Sequence, residues 1–269
     1  GSIESLQVKN QKDIQKEPWS FIKKNIRNLA PSQEKQENRE NKLAYFPFAM
    51  KSYVKSKHRV SQYGEVLTGK EIVNAMLDLV KQETERIDSR FLEPACGTGN
   101  FLAEVLLRKL AVVEKRYKKC QLEYERYAVL AVSSIYGIDL LEDNVQECRQ
   151  RLFDIFDAAY TRLYKSNTKD DCRSTVRFIL ERNIIHGDAL SLQTVAGNPK
   201  PIIFSEWSLA NGSMMKRRDF TFQELLSHAS IKETPLFSDL GEEAFIPLPA
   251  KEYPIIHFLE IGRTYGRHL

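Results

Sequence analysis

The stretch that most constrains the fold is Phe91-Leu92-Glu93-Pro94-Ala95-Cys96-Gly97-Thr98-Gly99-Asn100-Phe101. An apolar pair runs into a carboxylate, and a small-residue turn with two glycines follows. Phe101, Leu102, Val105, Leu106, Leu110 and Val113 then recur at helical spacing. This is a strand–turn–helix entry with an acid at the strand end. It predicts the floor of a nucleotide-type cofactor site, because Gly97 and Gly99 let backbone approach a ligand with no Cβ in the way.

The segments on either side repeat the theme. Thr68 followed by Glu71 reads as a capping box, and Ile72, Val73, Met76, Leu77, Leu79 and Val80 give the helix it opens an apolar face. A helix over about 121–132 precedes a second strand, Ser134-Ile135-Tyr136-Gly137-Ile138-Asp139, which again ends in an acid. Val145, Cys148, Leu152, Ile155, Phe156 and Ala159 mark the next helix. Tyr164 to Arg173 reads as a polar loop, and Val176, Ile179 and Leu180 as a short helix. Asn183-Ile184-Ile185-His186 predicts a third strand ending at Gly187-Asp188-Ala189. Pro201-Ile202-Ile203-Phe204 predicts a fourth, ending at Ser205-Glu206-Trp207-Ser208. Strands alternating with helices predict an α/β domain with a mostly parallel sheet, whose ligands bind off the carboxyl ends of the strands.

Which ligand follows from what surrounds the glycines. A phosphate loop carries Lys-Ser/Thr after them, whereas Asn100-Phe101 stands here, and the dinucleotide GxGxxG pattern is incomplete. Glu93 would repel a pyrophosphate but suits an ammonium or sulfonium. Asp139 stands where an acid bridges ribose hydroxyls, and Asp188 can accept from an adenine amino group. A cationic amino-acid moiety, a ribose and an adenine together describe S-adenosylmethionine (SAM). The candidate cofactor residues are Thr68, Glu93, Pro94, Ala95, Cys96, Gly97, Gly99, Asp139, Leu140, Asp188 and Ala189.

These same segments resemble the adenine-specific DNA methyltransferases of restriction–modification systems. Glu93-Pro94-Ala95-Cys96-Gly97-Thr98-Gly99 looks like the family's cofactor motif. Tyr63-Gly64-Glu65-Val66-Leu67-Thr68-Gly69 resembles the segment preceding it, with Gly69 in place of the usual proline. Tyr136-Gly137-Ile138-Asp139 and Gly187-Asp188-Ala189 are similar to the second and third motifs. The resemblance covers about residues 58–190 and implies a class I, Rossmann-like SAM-dependent methyltransferase fold, expected to be incomplete against the family's seven-stranded sheet, with SAM as cofactor and DNA as partner.

The family's catalytic Asn/Asp-Pro-Pro-Tyr/Phe motif is missing from the end of the fourth strand. Glu206 and Trp207 stand there instead, as the candidates for accepting a hydrogen bond from the target amine and for stacking a flipped base. A strand-end acid in solvent and a core tryptophan are the competing reading. Gly197-Asn198-Pro199-Lys200-Pro201 precedes the strand and reads as a turn. The resemblance therefore implies either methyl transfer to adenine in DNA, or a non-catalytic SAM-binding subunit that needs a partner chain or a second copy, or transfer to another acceptor.

Other residues take plainer readings. Cys96 is a small buried filler rather than a nucleophile, and His186 makes a structural hydrogen bond. Tyr63 either lines the pocket or packs beneath the helix. Lys216-Arg217-Arg218 either holds phosphates or lies in a solvated loop. Cys96, Cys120, Cys148 and Cys172 form no CxxC pair, so no metal and no disulfide framework are expected, which fits a reducing cytoplasm. No apolar run is long enough to span a membrane, and no signal segment opens the chain.

Three parts are expected: a basic, partly helical extension over 1–60, the SAM-binding domain over 61–210, and an irregular tail with one helix over 211–269. The extension carries 13 Lys/Arg against 6 Asp/Glu. It either follows a phosphate backbone or is a solvated helical arm, with Trp19, Phe21, Ile22, Ile26 and Leu29 as one docking cluster.

Overall fold

The computed structural model describes residues 68–232 and 247–266, together with Ser56, His58, Arg59, Ser61 and Glu65. The readings of the basic extension up to residue 55 and of Tyr63 lie outside the described residues.

The architecture is mixed α/β and compatible with a Rossmann-like fold. The described chain runs α1 (Lys70–Asp78), α2 (Lys81–Thr84), β1 (Phe91–Glu93), α3 (Asn100–Tyr117), α4 (Gln121–Ser133), β2 (Ile135–Asp139), α5 (Glu142–Tyr164), α6 (Asp170–Asn183), β3 (Ile184–Asp188) and β4 (Gln193–Thr194). It continues through β5 (Ile203–Leu209), β6 (Met214–Thr221), α7 (Phe222–Lys232), β7 (Lys251–Glu252), β8 (Ile256–His257) and α8 (Ile261–Tyr265). β1, β2 and β3 pair in parallel, and β4 adds antiparallel to β3.

Burial explains why β2 is central. All five of its residues are buried, as expected for a strand covered on both faces. On one face Ile135 joins the large core built by α3, α4, α5 and α6, to which Leu106, Val132, Leu152 and Ile179 contribute. On the other face Tyr136 and Ile138 pack with Ile202, Phe204 and Phe222. Crossover helices on one side are what right-handed β–α–β connections in one direction produce.

Several local expectations are corrected. Thr68 does not cap α1: Gly69 is the N-cap, and no side-chain cap bond forms there. The stretch Tyr164 to Arg173 is not a loop but the end of α5, a 3₁₀ turn and the start of α6, whose first turn holds Asp170 and Asp171 against the helix dipole.

The largest correction concerns the fourth strand. β5 does not extend the parallel sheet. It forms a hairpin with β6 in a separate antiparallel sheet, paired from Ile203↔Thr221 to Leu209↔Met215, and β7 and β8 add to β6. The β5–β6 hairpin spans position 210, with Ile203–Leu209 on one side of its turn and Met214–Thr221 on the other. Lys216-Arg217-Arg218 is accordingly a piece of β6. Arg217 is buried, donates to Asp219 (Nη2–Oδ2 2.8 Å) and lies over the rings of Tyr253, Phe178, Trp207 and Tyr265. It ties the second sheet to α6 and α8 and cannot reach a phosphate.

Candidate functional site

Three parallel strand ends bring their acids to one edge. Glu93 sits opposite Gly137, and Asp139 lies two residues further along β2. Asp139 sits opposite His186, and Asp188 lies two residues further along β3. The carboxyl edge of the sheet thus steps outward acid by acid.

The glycine turn is fixed to this edge by the backbone. Cys96 N–H donates to Ile138 O (2.9 Å), Gly99 N–H to Cys96 O (2.8 Å), and Gly97 N–H to Asp139 Oδ2 (2.8 Å). Gly97 and Gly99 have φ of 51° and 82°, in the left-handed region that a side chain disfavours. Gly99 N-caps α3, and a Cβ there would stand 2.6 Å from Cys148 Sγ. Pro94 and Ala95 are exposed on the outer side of the turn, whereas Cys96 is buried beneath it. The Cys96 thiol is held well above its usual range, first by its hydrogen bond to Cys148 and then by burial, which suits a filler and not a nucleophile.

Asp139 does more than sequence alone indicated. Besides Gly97, it accepts at Oδ1 from Leu141 N–H (2.9 Å) and Asn144 Nδ2 (3.1 Å). A carboxylate has about four lone-pair positions, so one is left for a ligand hydroxyl. Asn144 Nδ2 also reaches Glu65 Oε1 (2.7 Å), and Arg59 clamps Glu65 (2.5 Å) and Asp143 (2.6 Å). Glu65 lay inside a motif quoted for the resemblance, yet its role, and those of Arg59 and Asn144, were missed. Asn144 is 1% exposed in the first turn of α5, so a polar residue in an apolar stripe was the available signal. A second tie runs from Asn100 Nδ2 to Thr68 O (2.8 Å), so Thr68 meets the turn through its backbone carbonyl.

Glu93 has no hydrogen-bond or ion-pair partner among the described residues, and burial pushes its carboxyl up to about 7. An acid left without a cation is the feature that suits a cationic ligand group. Asp188 accepts from Leu190 N–H (2.9 Å), and that bond holds its carboxyl below the usual range. His186 Nε2 meets Leu140 O (3.2 Å), which joins two strand-end loops. Leu140 is half-exposed and Ala189 partly so, beside Asp139 and Asp188 respectively.

Glu206 and Trp207 do not join this group. Trp207 is buried, packs edge-on against Phe178 and donates from Nε1 to Asn183 Oδ1 (3.2 Å). Asn183 Nδ2 in turn donates to Ser133 O and Ile135 O, at the amino end of β2. Glu206 pairs with Arg90, the residue before β1, and with Arg218 (2.5 Å). Both side chains therefore stand at the amino end of the sheet, about 10 Å of strand from Glu93 and about 13 Å from Asp139. The physical reason is the hairpin with β6, which lays β5 across the sheet instead of alongside β1. Tyr136 Oη, donating to Ser205 O at 3.0 Å, marks the crossing.

Among the described residues no group of three or more His, Cys, Asp or Glu is placed to hold a metal ion, and no helix is long and apolar enough to cross a membrane. Comparison with known proteins found no matching family model, no matching curated protein and no matching solved structure.

Proposed function

We propose that the carboxyl edge of the parallel sheet binds S-adenosylmethionine, and that the chain is a SAM-binding protein of the DNA adenine amino-methyltransferase family with a class I methyltransferase domain. The observation that carries the reading is the Glu93 carboxyl, without a partner among the described residues, beside a left-handed glycine turn, in line with Asp139 and Asp188 on successive strand ends. In this reading Glu93 meets the cationic part of the cofactor, and the turn of Pro94 to Gly99 gives it room. Asp139 offers its remaining lone pair to a ribose hydroxyl. Asp188, Leu140 and Ala189 border the adenine. The cofactor would supply an electrophilic methyl group, and the protein's part would be binding and orientation.

The position of Glu206 and Trp207 favours a specific form of this proposal. Neither can touch an acceptor held at the carboxyl edge, so the groups that grip a target amine come from elsewhere, with a partner chain or second copy as their source. Calorimetry with SAM and S-adenosylhomocysteine tests the cofactor; one-to-one binding that Glu93→Gln abolishes is expected, and no binding by the folded protein overturns the proposal. Tritiated-methyl transfer to adenine-containing DNA, with the chain alone, separates the two forms. Transfer that survives in a Glu206→Gln, Trp207→Phe double variant would place the missing groups within this chain.

A further inference from the structure

A second cleft opens at the amino end of the sheet, away from the acids. It encloses about 440 Å³ and is lined by Arg86, Arg90, Arg116, Tyr117, Tyr127 and Trp207, among others. That volume suits one small molecule rather than a chain of nucleotides. Its chemistry is consistent along three lines.

First, the rim is cationic. Among the described residues that line the cleft, Asp88 is the one acid against three arginines. Arg86 is shared with Glu83 and Asp88 at 3.6 and 3.4 Å, and Arg90 with Glu206. Arg116 has no carboxylate partner among the described residues. Second, a buried lysine lies behind the wall. Lys109 is fully buried on α3, and its ammonium donates to Ile87 O (3.1 Å), Ser89 O and Ser134 Oγ (2.6 Å), all of them neutral acceptors. Ile87 and Ser134 line the cleft, so this amine sits directly behind it; burial lowers it to about 7, so it is partly neutral at neutral pH and the phosphate contact falls to the rim. Third, the lining is aromatic. Tyr117 and Tyr127 stack on each other at 4.0 Å and 7° between planes, the Arg126 guanidinium lies 4.7 Å over the Tyr127 ring, and with Leu130 and Leu209 the pair lines the cleft as a largely apolar wall.

We infer that this cleft is a site for a small planar phosphate ester of the nucleoside monophosphate class, with its base against the tyrosine pair and its phosphate at Arg116. A guanidinium with no carboxylate partner among the described residues, as at Arg116, suits a phosphate oxygen, and aromatic side chains accept any base.

The test uses Trp207 as its reporter. The chain holds two tryptophans, so Trp19→Phe leaves Trp207 alone on the cleft wall. Adenosine and guanosine monophosphates are titrated against its fluorescence with S-adenosylhomocysteine at saturation, which keeps nucleosides out of the proposed cofactor site. The expected result is a saturable change, with both nucleotides binding about tenfold tighter than adenosine or inorganic phosphate alone. Arg116→Glu, on an exposed residue, should weaken binding about tenfold, and Tyr127→Leu should weaken it several-fold while leaving phosphate unaffected. Absence of a saturable change, equal affinity for inorganic phosphate, or an unaltered Arg116→Glu titration would each overturn the inference. So would competition between nucleotide and S-adenosylhomocysteine, which would move the bound nucleotide to the other site.

Discussion

Gly97 and Asp139 are joined by a 2.8 Å bond in which the glycine N–H donates to the carboxylate, so one strand-end acid holds the loop that follows another. The loop and the second strand end are therefore one unit. Asp139 is nearly buried and serves three donors, Gly97 N–H, Leu141 N–H and Asn144 Nδ2. Asp139→Ala strands all three and should cost about 2–4 kcal/mol, read as a lower urea midpoint. Cofactor binding should be lost in the same variant, even below the temperature at which it melts.

Gly99 makes a second prediction about the same turn. Its φ of 82° costs a side chain about 1–3 kcal/mol by itself. The added Cβ would also meet Cys148 Sγ at 2.6 Å. Gly99→Ala should thus destabilise through two separable effects. Removing the sulfur with Cys148→Ala should recover the steric part only, giving a coupling of about 1 kcal/mol in a double-mutant cycle. Strict additivity would show that backbone conformation alone is at stake.

The parallel half of the fold was legible because its signals are local. Each strand is a short apolar run, each helix has a repeating face, and glycines mark the turn. The antiparallel half was hidden for a physical reason. Pro201-Ile202-Ile203-Phe204 has the composition of a strand, but nothing in those residues states whether the partner is β1 or β6. Lys216-Arg217-Arg218 reads as a phosphate-holding patch or a solvated loop because the groups that bury Arg217, namely Phe178, Tyr253 and Tyr265, come from distant parts of the sequence. At the candidate site the acids at Glu93, Asp139 and Asp188 could be read off. The network through Arg59, Glu65 and Asn144 could not, since it depends on side chains 79 to 85 residues apart.

Arg217 and Asp219 give a test of that hidden half. Their ion pair is buried, with side chains 7% and 10% exposed. Arg217→Met leaves Asp219 charged and enclosed, which should cost about 3–5 kcal/mol. Tyr253 Oη and Ser205 Oγ would still donate to the acid, so the variant should stay folded at low temperature. Replacing both partners by apolar residues should restore much of the loss. A surface-loop role for Arg217 would instead predict a change within experimental error.

Glu206→Gln and Trp207→Phe should act on stability and not on the cofactor. The first weakens pairs with Arg90 and Arg218, and the second removes the bond to Asn183. Each should lower stability by about 1–2 kcal/mol. SAM affinity measured by calorimetry should stay within about twofold of the wild type. A tenfold loss in either variant would mean that β5 reaches the carboxyl edge after all.

The acidity of Glu93 links stability to binding. Burial raises its carboxyl from an ordinary value to about 7. The folded protein therefore holds a proton that the unfolded chain releases at lower pH, and stability should fall as pH rises from about 4.5 to 7. Above that window the folded state carries a charged acid with no partner among the described residues. Glu93→Gln removes this charge, so it should stabilise the protein by about 1–3 kcal/mol at pH 8 and have little effect at pH 4. The same substitution should abolish binding of a cationic ligand. Binding at pH 6.5 should also expel a proton, because a sulfonium beside Glu93 favours the charged carboxylate. Calorimetry in two buffers of different ionisation enthalpy would detect that proton. Denaturant melts at pH 4 and pH 8 would detect the stabilisation. A variant that gains stability at pH 8 and still binds SAM with wild-type affinity would separate Glu93 from the cofactor.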